Sequence, residues 1–206
     1  MVGTENLARV CAEFGTKLIF CSSDQIYFGS DFGEGHREKE SSEPAGEYGR
    51  QKLEAENRSL AACPDSVGLR LCWMYDTVRL SEKEHGNFME SFLKALREKQ
   101  ELTYPVHDYR GITDVNLVVQ NLEKAFTLPG GIYNFGSENS YSTYETVFRL
   151  LEACGYSTQL LNKNEAAFAD KPRNIRVCME KAESFGIQFP QTLEQMISVL
   201  KAEHIE

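Results

Sequence analysis

Lys17-Leu-Ile-Phe-Cys-Ser-Ser23 is the stretch that decides the fold of this chain. It is short and largely apolar, which is typical of a strand buried on both faces of a parallel sheet. Before it, residues 4–14 carry apolar side chains at helical spacing, and Gly15 then ends the predicted helix. The chain therefore opens within an alternating pattern of helices and strands.

The alternation continues after this strand. The predicted elements are, in order, a helix over 47–62, a strand over 67–72, a helix from Phe88, a short strand at Thr103–Val106, a helix over 115–126, a strand at Gly131–Phe135, and helices that start with the capping sequences at Ser142 and Thr192. Strands that alternate with helices of about a dozen residues predict an α/β fold. We expect a Rossmann-like parallel sheet with helices on both faces.

Two polar stretches without periodicity, residues 29–46 and 76–86, are predicted to be loops. No internal repeat or linker divides the chain, so residues 1–206 are predicted to form a single domain. Within it, residues from about 76–112 and 136–180 are expected to contribute to a small substrate-binding lobe.

Composition narrows the functional classes. The formal net charge of -9 disfavours nucleic acid and anionic membrane surfaces as partners. No apolar run approaches the length of a membrane span, and the six scattered cysteines have no metal-binding spacing, which suits a reduced, cytoplasmic protein without a metal site. An anionic ligand would need local positive groups, for which the candidates are Lys52, Arg70, Lys171 and Arg173.

Tyr48-Gly-Arg-Gln-Lys52 is the sharpest chemical signal. Side chains four residues apart on a helix point in the same direction. A lysine ammonium beside a phenol lowers the tyrosine pKa, which makes Tyr48 a candidate proton donor to a carbonyl. The spacing alone also fits an exposed pair on a solvated helix face.

Ser22-Ser23-Asp24 gives the pair its context, because it ends the buried strand. Open parallel sheets place ligand sites at the C-terminal ends of their strands. A hydroxyl there can donate a hydrogen bond to the same carbonyl that Tyr48 protonates. The alternative role for both serines is capping of the backbone after the strand.

These features resemble the extended short-chain dehydrogenases, and within them the dTDP-4-dehydrorhamnose reductase family. Ser22-Ser-Asp-Gln-Ile-Tyr27 is similar to that family's Ser-Thr-Asp-Tyr-Val-Phe segment, and Leu69-Arg-Leu-Cys-Trp-Met-Tyr75 to its Arg-Thr-Ser-Trp-Val-Tyr strand. Asn87-Phe88, Gly131-Ile-Tyr-Asn-Phe-Gly136 and Lys171-Pro-Arg-Asn174 resemble further family segments. The resemblance covers nearly the whole chain in the expected order.

The resemblance implies reduction of a nucleotide-linked 4-keto-6-deoxy sugar with NADP or NAD as cofactor. It assigns catalysis to Ser23, Tyr48 and Lys52. It further implies cofactor contacts from Ser22, Tyr48, Lys52, Cys72 and Met74, and substrate contacts from Asp24, Trp73, Lys171 and Arg173. A core position is the alternative for Trp73.

Other features depart from the family. Gln25 replaces a tyrosine, Lys171 replaces an arginine and Asp76 replaces a glycine. These differences leave the identity of the sugar undetermined. No glycine-rich phosphate-binding turn occurs, since Gly29, Gly33 and Gly35 have the wrong spacing. We therefore expect a Rossmann-like domain that lacks its N-terminal strands and exposes a sheet edge. Such an edge predicts a partner, for which a second copy of the chain is a candidate, or a rearranged fold or poor solubility.

Two alternative functions stay open from the sequence. A sugar-nucleotide epimerase or dehydratase would share Tyr48 and Lys52, although dehydratases place an acidic pair beside the serine and only Asp24 is present. A non-catalytic binding or regulatory fragment, like the reductase-related beta subunit of methionine adenosyltransferase, would explain the missing phosphate-binding turn.

Overall fold

Helices and strands alternate along the chain in a computed structural model that describes residues 2–29, 33–77 and 86–203. The helices are α1 (Val2–Glu13), α2 (Glu47–Ala62), α3 (Phe88–Arg97), α4 (Val115–Ala125), α5 (Thr143–Cys154), α6 (Glu180–Glu183) and α7 (Thr192–Ala202). The strands are β1 (Ile19–Ser23), β2 (Val67–Leu71), β3 (Trp73–Tyr75), β4 (Leu102–Pro105), β5 (Asp108–Tyr109), β6 (Ile112–Asp114), β7 (Gly131–Phe135), β8 (Leu161–Asn164) and β9 (Arg173–Asn174). Most of the loop predicted at 76–86 lies outside the described residues.

A parallel sheet in the order β1-β2-β7 forms the centre of the structure. Its register places Ser22 beside Arg70 and Arg70 beside Asn134. Parallel neighbours need crossover connections, and α2 supplies the one between β1 and β2. The predicted α/β class with a parallel sheet is confirmed.

Helices lie on both faces of this sheet, as predicted. Leu69 packs in a hydrophobic cluster with Val118 and Ala125 of α4. The next residue, Arg70, bonds to Glu56 of α2. Because successive side chains of a strand point to opposite faces, α2 and α4 must cover opposite faces of the sheet.

A second hydrophobic cluster lies beside the sheet and is built mainly by α3, α5 and α7, with the short pairs β3-β6 and β4-β8. Residues of both segments predicted to contribute to a substrate-binding lobe, 76–112 and 136–180, belong to this cluster, and its role in substrate binding stays a prediction. Ile175, Val177 and Met179 pack instead in the cluster of the central sheet, whereas Met196 and Leu200 of α7 belong to the second cluster.

Local signals explain where two of the helices begin. Ser142 and Glu145 form the capping box expected for α5, and Gly155 ends that helix with a φ of 77°. The box of α7 lies one residue earlier than its sequence suggested, between Gln191 and Glu194. The Thr192 hydroxyl is engaged elsewhere, in a hydrogen bond with the backbone of Ile112.

The apolar stripe of α1 is not where that helix packs. Leu7, Val10 and Phe14 are each more than half exposed, whereas Ala8 is fully buried, and the helix packs against α2. Among the described residues no strand pairs with the outer edge of β1. The described residues also include no helix with both the length and the apolar character needed to cross a membrane.

Candidate active site

A cavity of about 370 Å³ opens at the C-terminal ends of β1 and β2. Parallel strands end together at this edge of the sheet, which is where ligands bind in open α/β folds. Its lining includes eight residues that the sequence singled out: Ser22, Ser23, Asp24, Tyr48, Lys52, Cys72, Trp73 and Met74. Gln25 and Arg110 also line it, whereas Lys171 and Arg173 do not.

Gly49 allows the helix that carries Tyr48 to come close to the segment after β1. A Cβ atom at this position would lie 2.5 Å from the backbone oxygen of Gln25 and 2.9 Å from Pro44 Cβ. Both distances are shorter than side-chain contacts allow. The glycine between Tyr48 and Lys52 therefore sets α2 against the 3-10 helix Asp24–Tyr27.

Tyr48 and Lys52 differ in how firmly they are held. The Lys52 ammonium donates a hydrogen bond to the backbone oxygen of Cys21 at 3.0 Å and lies 5.5 Å from the centroid of the Tyr48 ring. Tyr48 is 56% exposed. One partner is thus anchored to β1, and the phenol beside it is accessible from the cavity.

Ser23 both caps the backbone and lines the cavity. Its Oγ accepts a hydrogen bond from the backbone N–H of Gln25 at 3.2 Å, as the N-cap of the 3-10 helix. The same hydroxyl donates to Asp24 Oδ1 at 3.2 Å. The two roles that the sequence left open are therefore compatible, because a hydroxyl can accept and donate at once.

Ser22 and Arg70 are engaged in a buried polar network. The Ser22 hydroxyl donates to Glu56, and Arg70 donates to both Glu56 oxygens at 3.0 and 2.7 Å. Arg70 also bonds Tyr27 at 2.7 Å, which in turn donates to Asn134 at 2.8 Å. Arg70, a candidate for binding an anionic ligand, is instead a structural residue whose charge is neutralised by Glu56.

Asp24 has an unusual environment for a carboxyl group. It is 2% exposed, and its Oδ2 atom has no hydrogen-bond partner among the described residues. Burial raises the pKa of Asp24 to about 7, although the nearby Arg110 acts in the opposite direction. This carboxyl can therefore hold or release a proton near neutral pH.

Trp73 stands at the mouth of the cavity and not in the core, since 38% of it is exposed. Its ring makes an edge contact with the Phe88 ring at a centroid separation of 5.2 Å, and the Arg110 guanidinium lies 4.7 Å from the centroid of the Trp73 ring. Sequence reasoning missed Arg110. No local motif marks it, because it reaches Trp73 only through the pairing of β3 with β6.

Asp108 connects Arg110 to one of the predicted substrate residues. It accepts two hydrogen bonds from Arg173, at 2.7 and 2.8 Å, and lies 3.4 Å from Arg110 Nε. Arg173 therefore lies outside the cavity lining, next to Asp108. Lys171 donates to the backbone oxygen of Gly29 at 2.6 Å.

Some of these residues fit the nicotinamide end of a dinucleotide. Tyr48 and Lys52 line both this cavity and an adjoining one of about 230 Å³. Their hydroxyl and ammonium groups can therefore form hydrogen bonds with the ribose hydroxyls of a ligand that extends from one cavity into the other. The buried Cys72 and half-buried Met74 offer an apolar wall, and burial raises the pKa of the Cys72 thiol, which keeps it neutral. Gly35 packs closely on the backbone of Val177 and makes no phosphate cradle.

Known proteins resemble this chain over most of its length. The family described as the RmlD substrate binding domain matches residues 1–204. The chain is 26% identical over 172 residues to the spore coat polysaccharide biosynthesis protein SpsK of Bacillus subtilis, covering 82% of this chain and 58% of that protein. It is 38% identical over 77 residues to dTDP-4-dehydrorhamnose reductase of Mycobacterium tuberculosis, covering 35% of this chain and 25% of that protein.

Among solved structures, dTDP-4-dehydrorhamnose reductase from Bacillus anthracis in complex with NADP has a TM-score of 0.78 at 20% identity, covering 98% of this chain and 70% of that chain. The shared fold is the Rossmann-like fold that the strand and helix pattern predicts. This chain spans little more than half the length of SpsK. Since the family match extends over nearly all of its residues, the chain belongs to the RmlD substrate binding domain family.

Proposed function

We propose that this chain provides the catalytic and substrate-binding part of an NAD(P)H-dependent reductase for a nucleotide-linked 4-keto-6-deoxy sugar. One observation carries the proposal: Ser23, Tyr48 and Lys52 line a single cavity at the C-terminal ends of parallel strands. The similarity to a protein named dTDP-4-dehydrorhamnose reductase supports the choice of substrate class.

Tyr48 is the general acid of the proposed reaction. When bound, NAD(P)H supplies a hydride to C4 of the sugar. The Tyr48 phenol gives its proton to the carbonyl oxygen, so that the ketone becomes an alcohol and a phenolate remains. The Lys52 ammonium, held on the Cys21 backbone oxygen at 3.0 Å, stabilises that phenolate by its charge.

Ser23 supplies the second hydrogen bond to the substrate carbonyl. Its hydroxyl points to Asp24 Oδ1 at 3.2 Å, a long bond that a substrate oxygen can replace without loss of the cap on Gln25. Trp73 offers an apolar face to the sugar ring, and Asp24 a carboxyl group to its hydroxyls. Ser22, Cys72 and Met74 are proposed to border the nicotinamide.

The experiment supplies the 206-residue chain with NADPH or NADH and dTDP-4-dehydrorhamnose, and follows cofactor oxidation and product mass. Tyr48→Phe should lower kcat by about 10²- to 10⁴-fold. Tyr144→Phe is the matched control, because Lys163 lies 5.4 Å from that ring in a similar arrangement outside the cavity. Reduction by Tyr48→Phe at the unmodified rate would contradict the proposal.

The product separates the remaining alternatives. Reduction adds two hydrogens to the sugar, dehydration removes water, and epimerisation leaves the mass unchanged. Binding of the dTDP-sugar without any turnover would favour a non-catalytic binding role over the proposed reductase. Each result excludes the proposed function or supports it over a named competitor.

A further inference from the structure

Two polar atoms of the cavity residues lack hydrogen-bond partners in the described part of the chain. They are Asp24 Oδ2 and Arg110 Nε. Both side chains line the cavity, and both residues are more than nine-tenths buried. A buried polar group without a partner is destabilising, so two such groups in residues that line one cavity are the pattern of a site that a ligand completes.

Arg110 is held in place and shares the Asp108 carboxylate with Arg173. Its guanidinium lies 4.7 Å over the Trp73 ring, and its Nε is 3.4 Å from Asp108 Oδ2 without forming a hydrogen bond. Asp108 already accepts both Arg173 bonds and one from Thr143 at 3.0 Å. The stacking fixes the guanidinium, and the occupied carboxylate leaves donor capacity on it.

The chemistry of the two groups selects the ligand. Asp24 as a carboxylate needs a donor, whereas Arg110 can only donate. A phosphate oxygen would satisfy Arg110 but would offer Asp24 no proton and would repel its charge. A hydroxyl group satisfies both, because it donates to the carboxylate and accepts from the guanidinium.

We infer that Asp24 and Arg110 together bind one ring hydroxyl of the bound sugar and so determine sugar specificity. The inference rests on the proposed function and deepens it. A sugar lacking that hydroxyl would leave both groups unpaired, and sites built to hydrogen-bond a hydroxyl discriminate strongly against analogues without it. The pair is therefore a specificity element beside the Ser23, Tyr48 and Lys52 centre.

The single tryptophan of the chain makes the test direct. Trp73 is that tryptophan and touches Arg110, so its fluorescence reports ligand binding at this cavity. The chain is titrated with dTDP-rhamnose and with dTDP at about pH 8, above the Asp24 pKa of about 7. The ratio of the two affinities measures the contribution of the sugar.

Asp24→Ala and Arg110→Met should each lower this ratio about 10-fold or more, while affinity for dTDP alone changes little. Arg110→Lys should restore part of it. Arg149→Met is the control, because that guanidinium lies 4.2 Å over the Tyr141 ring outside the cavity and should leave the ratio unchanged. Thermal unfolding of each variant shows that it is folded.

A second arm varies the sugar. The sugars are dTDP-sugars that each lack one ring hydroxyl. One of them should bind the unmodified chain more weakly than the parent sugar, by the same factor as the Arg110→Met substitution weakens binding of the parent sugar. The Arg110→Met variant should bind that sugar and the parent sugar equally well. An unchanged ratio in both folded variants overturns the inference and leaves the proposed reductase standing. If the unmodified chain binds no dTDP-rhamnose, this result contradicts both the inference and the proposed reductase function.

Discussion

Arg70 and Glu56 form a salt bridge of two hydrogen bonds that joins the middle strand of the sheet to the helix carrying Tyr48 and Lys52. Glu56 lies four residues beyond Lys52, so Tyr48, Lys52 and Glu56 share one stripe of α2. The Ser22 hydroxyl also donates to Glu56, which ties β1 into the same contact. This network fixes the helix against the two strands that end at the cavity.

Removal of one partner of this bridge should destabilise the fold strongly. Glu56→Ala leaves the Arg70 charge buried, because the two side chains are only 5% and 1% exposed, and should cost about 3–5 kcal/mol. Urea unfolding measures the loss. Glu54→Ala is the control: its exposed pair with Arg58 on the same helix should contribute about 1 kcal/mol or less.

The double variant Arg70→Met with Glu56→Leu tests the reason. Apolar replacement of both partners removes the unpaired charge, so it should recover most of the stability that Glu56→Ala loses. A double variant as unstable as the single one would show that the bonds to Ser22 and Tyr27, and not charge burial, dominate the network.

Gly49→Ala should destabilise the protein although alanine favours helices. The helix propensity gain is at most about 1 kcal/mol, whereas overlap with the backbone oxygen of Gln25, 2.5 Å from the new Cβ, should cost more, for a net loss of about 1–3 kcal/mol. Thermal unfolding is the measurement. Gly3→Ala in α1 meets no atom within 4 Å and should be neutral or stabilising.

The strand-end site could be predicted from the sequence because its parts are local. Lys17–Ser23 reads as a buried strand, and Tyr48 and Lys52 share a helix face by spacing alone. Parallel topology then brings the strand end and the helix to one edge of the sheet. These rules need no knowledge of which side chains meet across the fold.

The residues that the sequence misjudged depend on long-range pairing. Arg70 was a candidate for anion binding, and only the packing of α2 on β2 places Glu56 beside it. Arg110 carried no signal, since its contact with Trp73 requires β3 to pair with β6 across the intervening α3, β4 and β5. The apolar spacing of α1 predicts the helix, but whether its apolar face is buried depends on which elements pack on that helix.

Asp24 should make stability fall with rising pH over a defined range. Burial raises the pKa of its carboxyl from 3.8 to about 7, against the opposing effects of Arg110 and Arg173 and in line with that of Asp108. The folded protein thus keeps a proton that the unfolded chain has lost, and stability declines between about pH 4 and pH 7 and then levels off.

Asp24→Asn removes this dependence because an amide does not titrate. Relative to the unmodified chain, the variant should gain stability progressively across the window, by about 4 kcal/mol at most. Urea unfolding at several pH values gives the difference, in which titration of all other groups cancels. A constant difference between the two proteins from acid to neutral pH would refute the assignment to Asp24.

Ser23 is predicted to contribute to stability and to turnover through separate hydrogen bonds. Ser23→Ala removes the cap on the Gln25 N–H, which should cost about 1 kcal/mol in urea unfolding, and also removes the hydroxyl proposed to bind the substrate carbonyl. Ser23→Thr keeps a hydroxyl on Cβ and should restore both properties. If Ser23 acted only as a cap, stability would fall in the alanine variant while kcat stayed unchanged. A fall in kcat of about 10-fold or more with little change in KM, recovered by threonine, would instead place the hydroxyl on the transition state.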